Sequence, residues 1–374
     1  MELPSPFERR FGIRQKGSAG RGRGQNTGGA ESCNRKHFVM AVTCATSRTR
    51  AGVWRKATAR RWERKVGRVH CVAKQVERVD CIPYDASDAS WTSGSFDEER
   101  RTFAQRFRLR SYEVDGERMA SIITLANMLQ EVATNHVLGL WGKGKDGFPV
   151  PPEMVERNLG WVMARMKFQL DRYPTWGDLI EVRTWFCAAG KLAARRDWDL
   201  VDIVTGERIG GCTSMWVCLD MAKRRMSRIP PGVRQEFEKS SPVDELFALG
   251  QGVIPLKLPD FDEEPEFIGP TVVARRTDID MNGHVNNVAY IGWALEALPL
   301  SESKQFDLKE IEIEFKNEAL QGERVVTMAS PSPCVVPLHP NDGKDGNSHC
   351  YLHSLSREAD GEELVLLRSR WCPR

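Results

Sequence analysis

No stretch of this 374-residue sequence reaches the roughly 18 consecutive apolar residues that a membrane-spanning helix needs. A transmembrane helix is therefore excluded. The ten cysteines include no C-x-x-C pair and no repeated spacing. That argues against a zinc ribbon or a disulfide scaffold and favours free thiols in a reducing compartment. Acid is almost missing from the beginning of the chain. Residues 1–68 hold 17 Lys or Arg against four Glu and no Asp, whereas residues 69–374 hold 37 basic against 47 acidic residues. A basic leader precedes an acidic globular part.

Residues 1–70 also lack sustained period-2 or period-3.6 patterning. They are rich in Arg, Ser, Thr, Ala and Gly, the composition of an organellar transit peptide. The run MAVTCATSRTRAGVWRKATARRW from Met40 fits that description better than the first residues do. Met40 is thus expected to be the start, or residues 1–39 an extension. The rival reading, a nucleic-acid arm, is weaker because the Arg are dispersed and no fold follows at once, so no nucleic-acid partner is expected. Residues 71–98 read as a linker.

From residue 99 the pattern sharpens into two copies of one unit, 99–238 and 268–374, joined by a Pro-containing, acidic linker at 239–267. In the first, Leu125, Met128, Leu129 and Val132 mark one face of a helix predicted over 121–142, with Gly142 as its stop. Strands follow at 159–186, around Pro-Thr-Trp-Gly-Asp, and at 195–230, over Thr205-Gly206. In the second, RRTDID (275–280) repeats RSYEVD (110–115) at an offset of 165 residues. A helix with Val288, Ile291, Leu295 and Leu298 on one stripe comes next. Ile311, Ile313 and Phe315 then alternate with Glu310, Glu312 and Glu314, and a hairpin turns at Asp360-Gly361. Each half predicts a long helix packed on a curved antiparallel sheet, an α+β fold. Residues 331–348 read as a flexible insertion.

The segment DMNGHVNNVAYIGWALE (280–296), with RYPTWGD (172–178), RRDW (195–198) and SRIPPGVR (227–234), resembles the plant and algal acyl-(acyl carrier protein) thioesterases over about residues 99–374. The resemblance implies tandem hot-dog domains without metal or cofactor. It implies hydrolysis of fatty acyl thioesters of acyl carrier protein in the plastid stroma, with the acyl chain in the first unit and the chemistry in the second. Carried over by position, the catalytic set is Asp280, Asn282, His284 and Glu318.

Thioester hydrolysis requires an aimed water, a base and donors for the developing oxyanion. Glu318 is the candidate base, although it shares parity with Glu310, Glu312 and Glu314 and reads equally as one more solvated Glu. Asp280 orders the site or caps the next helix. Asn282 offers an amide donor or serves the turn before Gly283. His284 polarises the carbonyl or positions the base.

Ala319 stands where the family usually has Cys, and Gly283 where it often has Gln. Either the chain is inactive or water activated by Glu318 does the work, and the persistence of the four polar residues favours water. The first unit has VDGERMASIITL at the equivalent place and no D-x-N-x-H. Its His136 reads as a satisfied core histidine. Leu125, Met128, Leu129 and Val132 are candidate acyl-pocket lining as well as core. Lys191, Arg195, Arg196, Lys223, Arg224 and Arg225 form a basic patch expected to dock the acidic carrier. The alternatives are a hydrolase of acyl-coenzyme A and, if Ala319 is disabling, a non-catalytic acyl-binding protein. A homodimer is left open.

Overall fold

The computed structural model describes residues 94–142, 149–261, 264–334 and 348–374. The basic leader, most of the 71–98 linker and all but the ends of the 331–348 segment lie outside the described residues.

Strand β1 (Ser95–Phe96) pairs with β2 (Phe103–Arg108), so the last residues of the expected linker already belong to the sheet. Phe96 draws them in by packing on Phe103 and His136. Helix α1 (Ile122–Trp141) begins where Ser121 Oγ accepts the Thr124 backbone N–H at 3.1 Å. It ends at Gly142, whose φ of 70° few other residues tolerate and whose N–H donates to Leu138 O at 2.8 Å. Helix α2 (Pro152–Glu156) leads into the meander β3 (Leu159–Leu170), β4 (Leu179–Ala189), β5 (Ala193–Asp202) and β6 (Arg208–Asp220). A short β7 (Arg225–Met226) folds back on β6, and α3 (Pro231–Ser240) closes the first unit.

The second unit opens with β8 (Phe267–Ile268), β9 (Val272–Val273) and a 3-10 turn at Arg276–Asp278. Its main helix α4 (Asn287–Leu295) has nine residues against the 20 of α1. The apolar stripe runs on to Leu298, but Pro299 disfavours helical geometry in the residue before it, and the last turns tighten instead. Helix α5 (Leu300–Gln305) and strands β10 (Phe306–Phe315), β11 (Arg324–Pro331), β12 (His349–Arg357) and β13 (Glu363–Pro373) complete it.

The strands form one sheet in the order β1-β2-β4-β5-β6-β3-β10-β13-β12-β11-β8, with β7 on β6 and β9 on β11. The two units therefore meet edge to edge at the antiparallel pair β3 and β10, which removes an exposed edge from each. At an offset of 145 residues Lys167 corresponds to Glu312, and those two residues are partners in that pair. A pseudo-twofold axis thus passes between them. Both main helices lie on one face, where Leu125, Leu129, Val132, Ile291, Ile311 and Ile313 are at most 1% exposed in a shared core.

The opposite face is where the sequence misleads. Glu310, Glu312 and Glu314 read as solvated, yet Glu312 is 3% exposed and Glu314 8%. Lys167 Nζ bridges Glu310 at 2.8 Å and Glu312 at 3.0 Å, Arg165 meets Glu314 at 3.1 Å, and Arg368 pairs with Glu312. The 239–267 segment covers this face: Leu258 packs on Leu352 and Leu366, and its N–H donates to Glu314 Oε2 at 3.1 Å.

The cysteine reading needs one correction. Cys334 and Cys350 form a disulfide, because the β11–β12 pairing continues to Ser332 N–H on Cys350 O and brings their Cα atoms to 5.4 Å. Cys187, Cys212, Cys218 and Cys372 are free thiols.

Candidate active site

The stretch 279–286 folds as a closed polar loop. Ile279 and Val285 form an isolated bridge, Asp280 N–H donates to His284 O at 2.9 Å, and Gly283 N–H donates to Asp280 O at 3.1 Å. Asp280 Oδ1 accepts the backbone N–H of Asn282 at 2.8 Å and of His284 at 3.4 Å, while its Oδ2 accepts the Asn282 amide at 3.0 Å. Gly283 has φ of 83°, a left-handed turn that glycine adopts without penalty. Asn286 caps α4 by accepting the Val288 N–H at 3.0 Å.

The first unit carries the same loop. Asp115 N–H donates to Met119 O at 2.9 Å, and Asp115 Oδ1 accepts Glu117 N–H at 2.8 Å and Met119 N–H at 3.0 Å. Arg118 takes the left-handed position at φ 67°. The 165-residue offset thus maps Asp115, Glu117 and Met119 onto Asp280, Asn282 and His284. The turn is duplicated, and the amide and the imidazole occur only in the second copy.

Glu318 arrives from the other side of β10. Val285 N–H donates to Ala319 O at 3.0 Å, as Ala120 N–H does to Pro174 O at 2.8 Å in the first unit, where Tyr173 occupies the place of Glu318. This pins the 317–323 turn against the loop, and Glu318 Oε2 comes to 3.5 Å from His284 Nδ1. Both side chains are a little over a third exposed, so a substrate can reach them. Two further contacts hold the segment. The Ala319 N–H donates to Tyr290 Oη at 2.8 Å, and Arg357 donates to Glu318 O at 3.0 Å. Burial pushes the Tyr290 phenol up to about 12, so it remains a neutral hydrogen-bonding post. The Ala319 side chain is fully buried.

One contact to this carboxylate comes from the first unit. Arg224 Nη2, at the tip of the β6–β7 hairpin, donates to Glu318 Oε1 at 2.6 Å. Sequence reasoning named Arg224 only as a docking residue and gave no sign of this pairing across 94 positions. Tyr290 and Arg357 were missed as supports of Glu318.

The basic patch divides. Lys191, Lys223, Arg224 and Arg225 are exposed. Arg195 and Arg196, 3% and 8% exposed, are not available to a carrier, and their assignment to docking is corrected. They lie on β5, which is covered on both faces. Arg195 pairs with Asp197 at 2.7 Å and Glu245 at 2.9 Å and stacks on Phe247 under the 239–267 segment. Arg196 turns inward, donating to His136 Nδ1 at 3.0 Å and Thr184 Oγ1 at 3.2 Å. His136 is fully buried among Phe96, Phe103 and Phe186 and is satisfied at Nδ1 alone, its Nε2 having no hydrogen-bond partner. Leu125, Met128, Leu129 and Val132 are 0–4% exposed on the α1 face that packs on β2 and β4.

Comparison with known proteins gives the family. Residues 100–237 match the acyl-ACP thioesterase N-terminal domain and residues 264–373 the C-terminal domain. The oleoyl-acyl carrier protein thioesterase 2, chloroplastic, of Arabidopsis thaliana is 35% identical over 74% of this chain and 78% of its own length. The palmitoyl-acyl carrier protein thioesterase, chloroplastic, of Gossypium hirsutum is 38% identical over 75% of this chain and 66% of its own length. Among solved structures, the 12:0-ACP thioesterase from Umbellularia californica is 32% identical with a TM-score of 0.64, covering 73% of this chain and 94% of that one. An acyl-ACP thioesterase structure from Bacteroides thetaiotaomicron, 19% identical with a TM-score of 0.58 over 74% of this chain and all of its own, shows the shared tandem hot-dog fold. This chain belongs to the acyl-acyl carrier protein thioesterase family.

Proposed function

We propose that this protein hydrolyses the thioester of a fatty acyl-(acyl carrier protein) with water activated by Glu318, releasing the free fatty acid and ending chain elongation. One observation carries the mechanism: the carboxylate of Glu318 and the imidazole of His284 converge to 3.5 Å on a reachable surface beside a loop ordered by Asp280. Glu318 takes a proton as the water oxygen bonds to the thioester carbon. Asn282 and His284 donate to the oxyanion. The C–S bond then breaks, and the proton passes from Glu318 to the departing thiolate. No thiol takes part.

In this reading the acyl chain lies along the α1 face at Leu125, Met128, Leu129 and Val132. Each buried methylene contributes about 0.8 kcal/mol, so side-chain volume there sets the chain-length preference. Lys191, Lys223, Arg224 and Arg225 receive the acidic carrier. Lys223→Glu with Arg225→Glu raises KM and weakens its salt dependence, and an unchanged KM contradicts the docking surface. The Arabidopsis thaliana and Gossypium hirsutum relatives are chloroplastic, and the stroma, with residues 1–70 as the address, is the proposed site of action. A homodimer belongs to the same proposal. Light scattering tests it, and the mass of a single chain refutes it.

The activity is tested by presenting one acyl group on acyl carrier protein and on coenzyme A and measuring free fatty acid. Faster release from the carrier protein supports the reading. Equal or faster release from coenzyme A makes the protein an acyl-coenzyme A hydrolase instead.

A further inference from the structure

Arg224 does more than decorate a basic patch. Its guanidinium sits 2.6 Å from Glu318 Oε1, on the carboxylate oxygen that does not face His284. The residue is held for this reach. The hairpin tip between Asp220 and Arg225 is closed by Lys223, whose N–H and Nζ meet Asp220 at 2.9 and 2.8 Å, and Arg224 takes φ of 48°, a left-handed conformation unusual for a side chain of this size. The ion pair is 67% exposed at Arg224 and 38% at Glu318, so it is weak and exchangeable. Among the described residues, the neighbouring Arg225 and Arg228 have no ion-pair partner, which leaves positive charge ready for an incoming anion.

We propose that Arg224 is a latch on the catalytic base, and that an anion brought by the carrier draws it off Glu318. The proposal rests on Glu318 acting as the base. While latched, one carboxylate oxygen is occupied by the Arg224 N–H and is closed to the attacking water. A docking carrier offers Arg224 a replacement anion, which frees Glu318 when a thioester is present. Arg224 is thus a positioning residue in the first unit that controls a group in the second. The replacement anion is either a carboxylate of the carrier surface or the phosphate of its prosthetic arm, and the same experiment separates them.

The test uses the full chain with one acyl group on three carriers: acyl carrier protein, phosphopantetheine and pantetheine. Pantetheine brings neither anion. Arg224→Ala raises kcat on acyl-pantetheine about threefold, the population held by an exposed ion pair, without raising it on the acyl carrier protein, and Arg224→Lys returns toward wild type. Raising NaCl speeds the wild type on the uncharged acyl-pantetheine and leaves Arg224→Ala unmoved, because salt screens the latch and no steering is involved. If wild-type turnover on acyl-phosphopantetheine matches that on the carrier protein, the phosphate is the anion; if it matches acyl-pantetheine, the carboxylates are. A fall of equal proportion on all three substrates, or an identical salt response in the two proteins, overturns the latch. Glu318→Gln separates the two levels. Surviving turnover in that variant refutes the base, whereas a dead Glu318→Gln with an unchanged Arg224→Ala refutes the latch alone.

Discussion

His284 Nδ1 stands 3.5 Å from Glu318 Oε2 although the whole of strand β10 lies between them in sequence. Main-chain bonding, not a side-chain contact, brings them together: the residue after His284 donates its N–H to the carbonyl of the residue after Glu318. The first unit makes the same main-chain bond with Tyr173 and Met119 in those places. The fold supplies the juxtaposition twice, and an imidazole facing a carboxylate only once.

That duplication gives a matched pair of variants. Asp115→Ala and Asp280→Ala each strip a turn of an acceptor for two backbone N–H groups. Each should cost about 1–2 kcal/mol by urea denaturation. Only Asp280→Ala should also lower kcat, by about a hundredfold or more, since its loop aims Asn282 and His284. Equal kcat losses in the two variants would contradict the assignment of chemistry to the second unit.

How much of this was legible in the sequence varies by physical cause. The loop at 280–286 was, because Asp, Asn and Gly act on backbone groups two to four residues away and the cue is local. The end of α1 at Gly142 was legible for the same reason. The buried carboxylates of β10 were not. Alternation shows that Glu310, Glu312 and Glu314 share a face, but not that residues near Leu258 return to cover it. Arg195 and Arg196 misled similarly, since adjacent strand residues point to opposite faces and here both faces are covered. The Arg224–Glu318 contact depends on the edge-to-edge seating of two units, which no short stretch encodes.

The central ladder should be stabilising only when complete. Lys167→Met leaves Glu310 and Glu312 without the cation they share, and the expected loss is about 3–5 kcal/mol. Replacing Glu312 by Gln as well, which keeps an acceptor for Arg368 and removes one of the two uncompensated charges, should recover part of it. Thermal unfolding of the two variants decides, and a Lys167→Met protein as stable as wild type removes the ladder from the account.

A buried histidine sets an acid limit. Burial pushes His353 down to about 4, although its Nδ1–H donates to Ala294 O at 3.0 Å and its Nε2 accepts from Ser369 Oγ at 2.8 Å. The unfolded chain, with an ordinary value of 6.5, binds a proton that the folded chain refuses. The folded state therefore loses stability as pH falls from about 6.5 toward 4, by about 3 kcal/mol from this group. Urea midpoints across that range should slope accordingly, and His353→Gln should flatten part of the slope. A variant with the full wild-type slope would show that His353 is not its source.

The most direct test of the whole account is the single-turnover rate of Glu318→Gln on a fatty acyl carrier, measured beside wild type treated with a thiol-alkylating reagent. Water activated by Glu318 predicts a loss of about 10²–10⁴-fold in the variant and almost none on alkylation. A variant that keeps its rate, or a wild type silenced by alkylation, would mean that the carboxylate beside His284 is not the base.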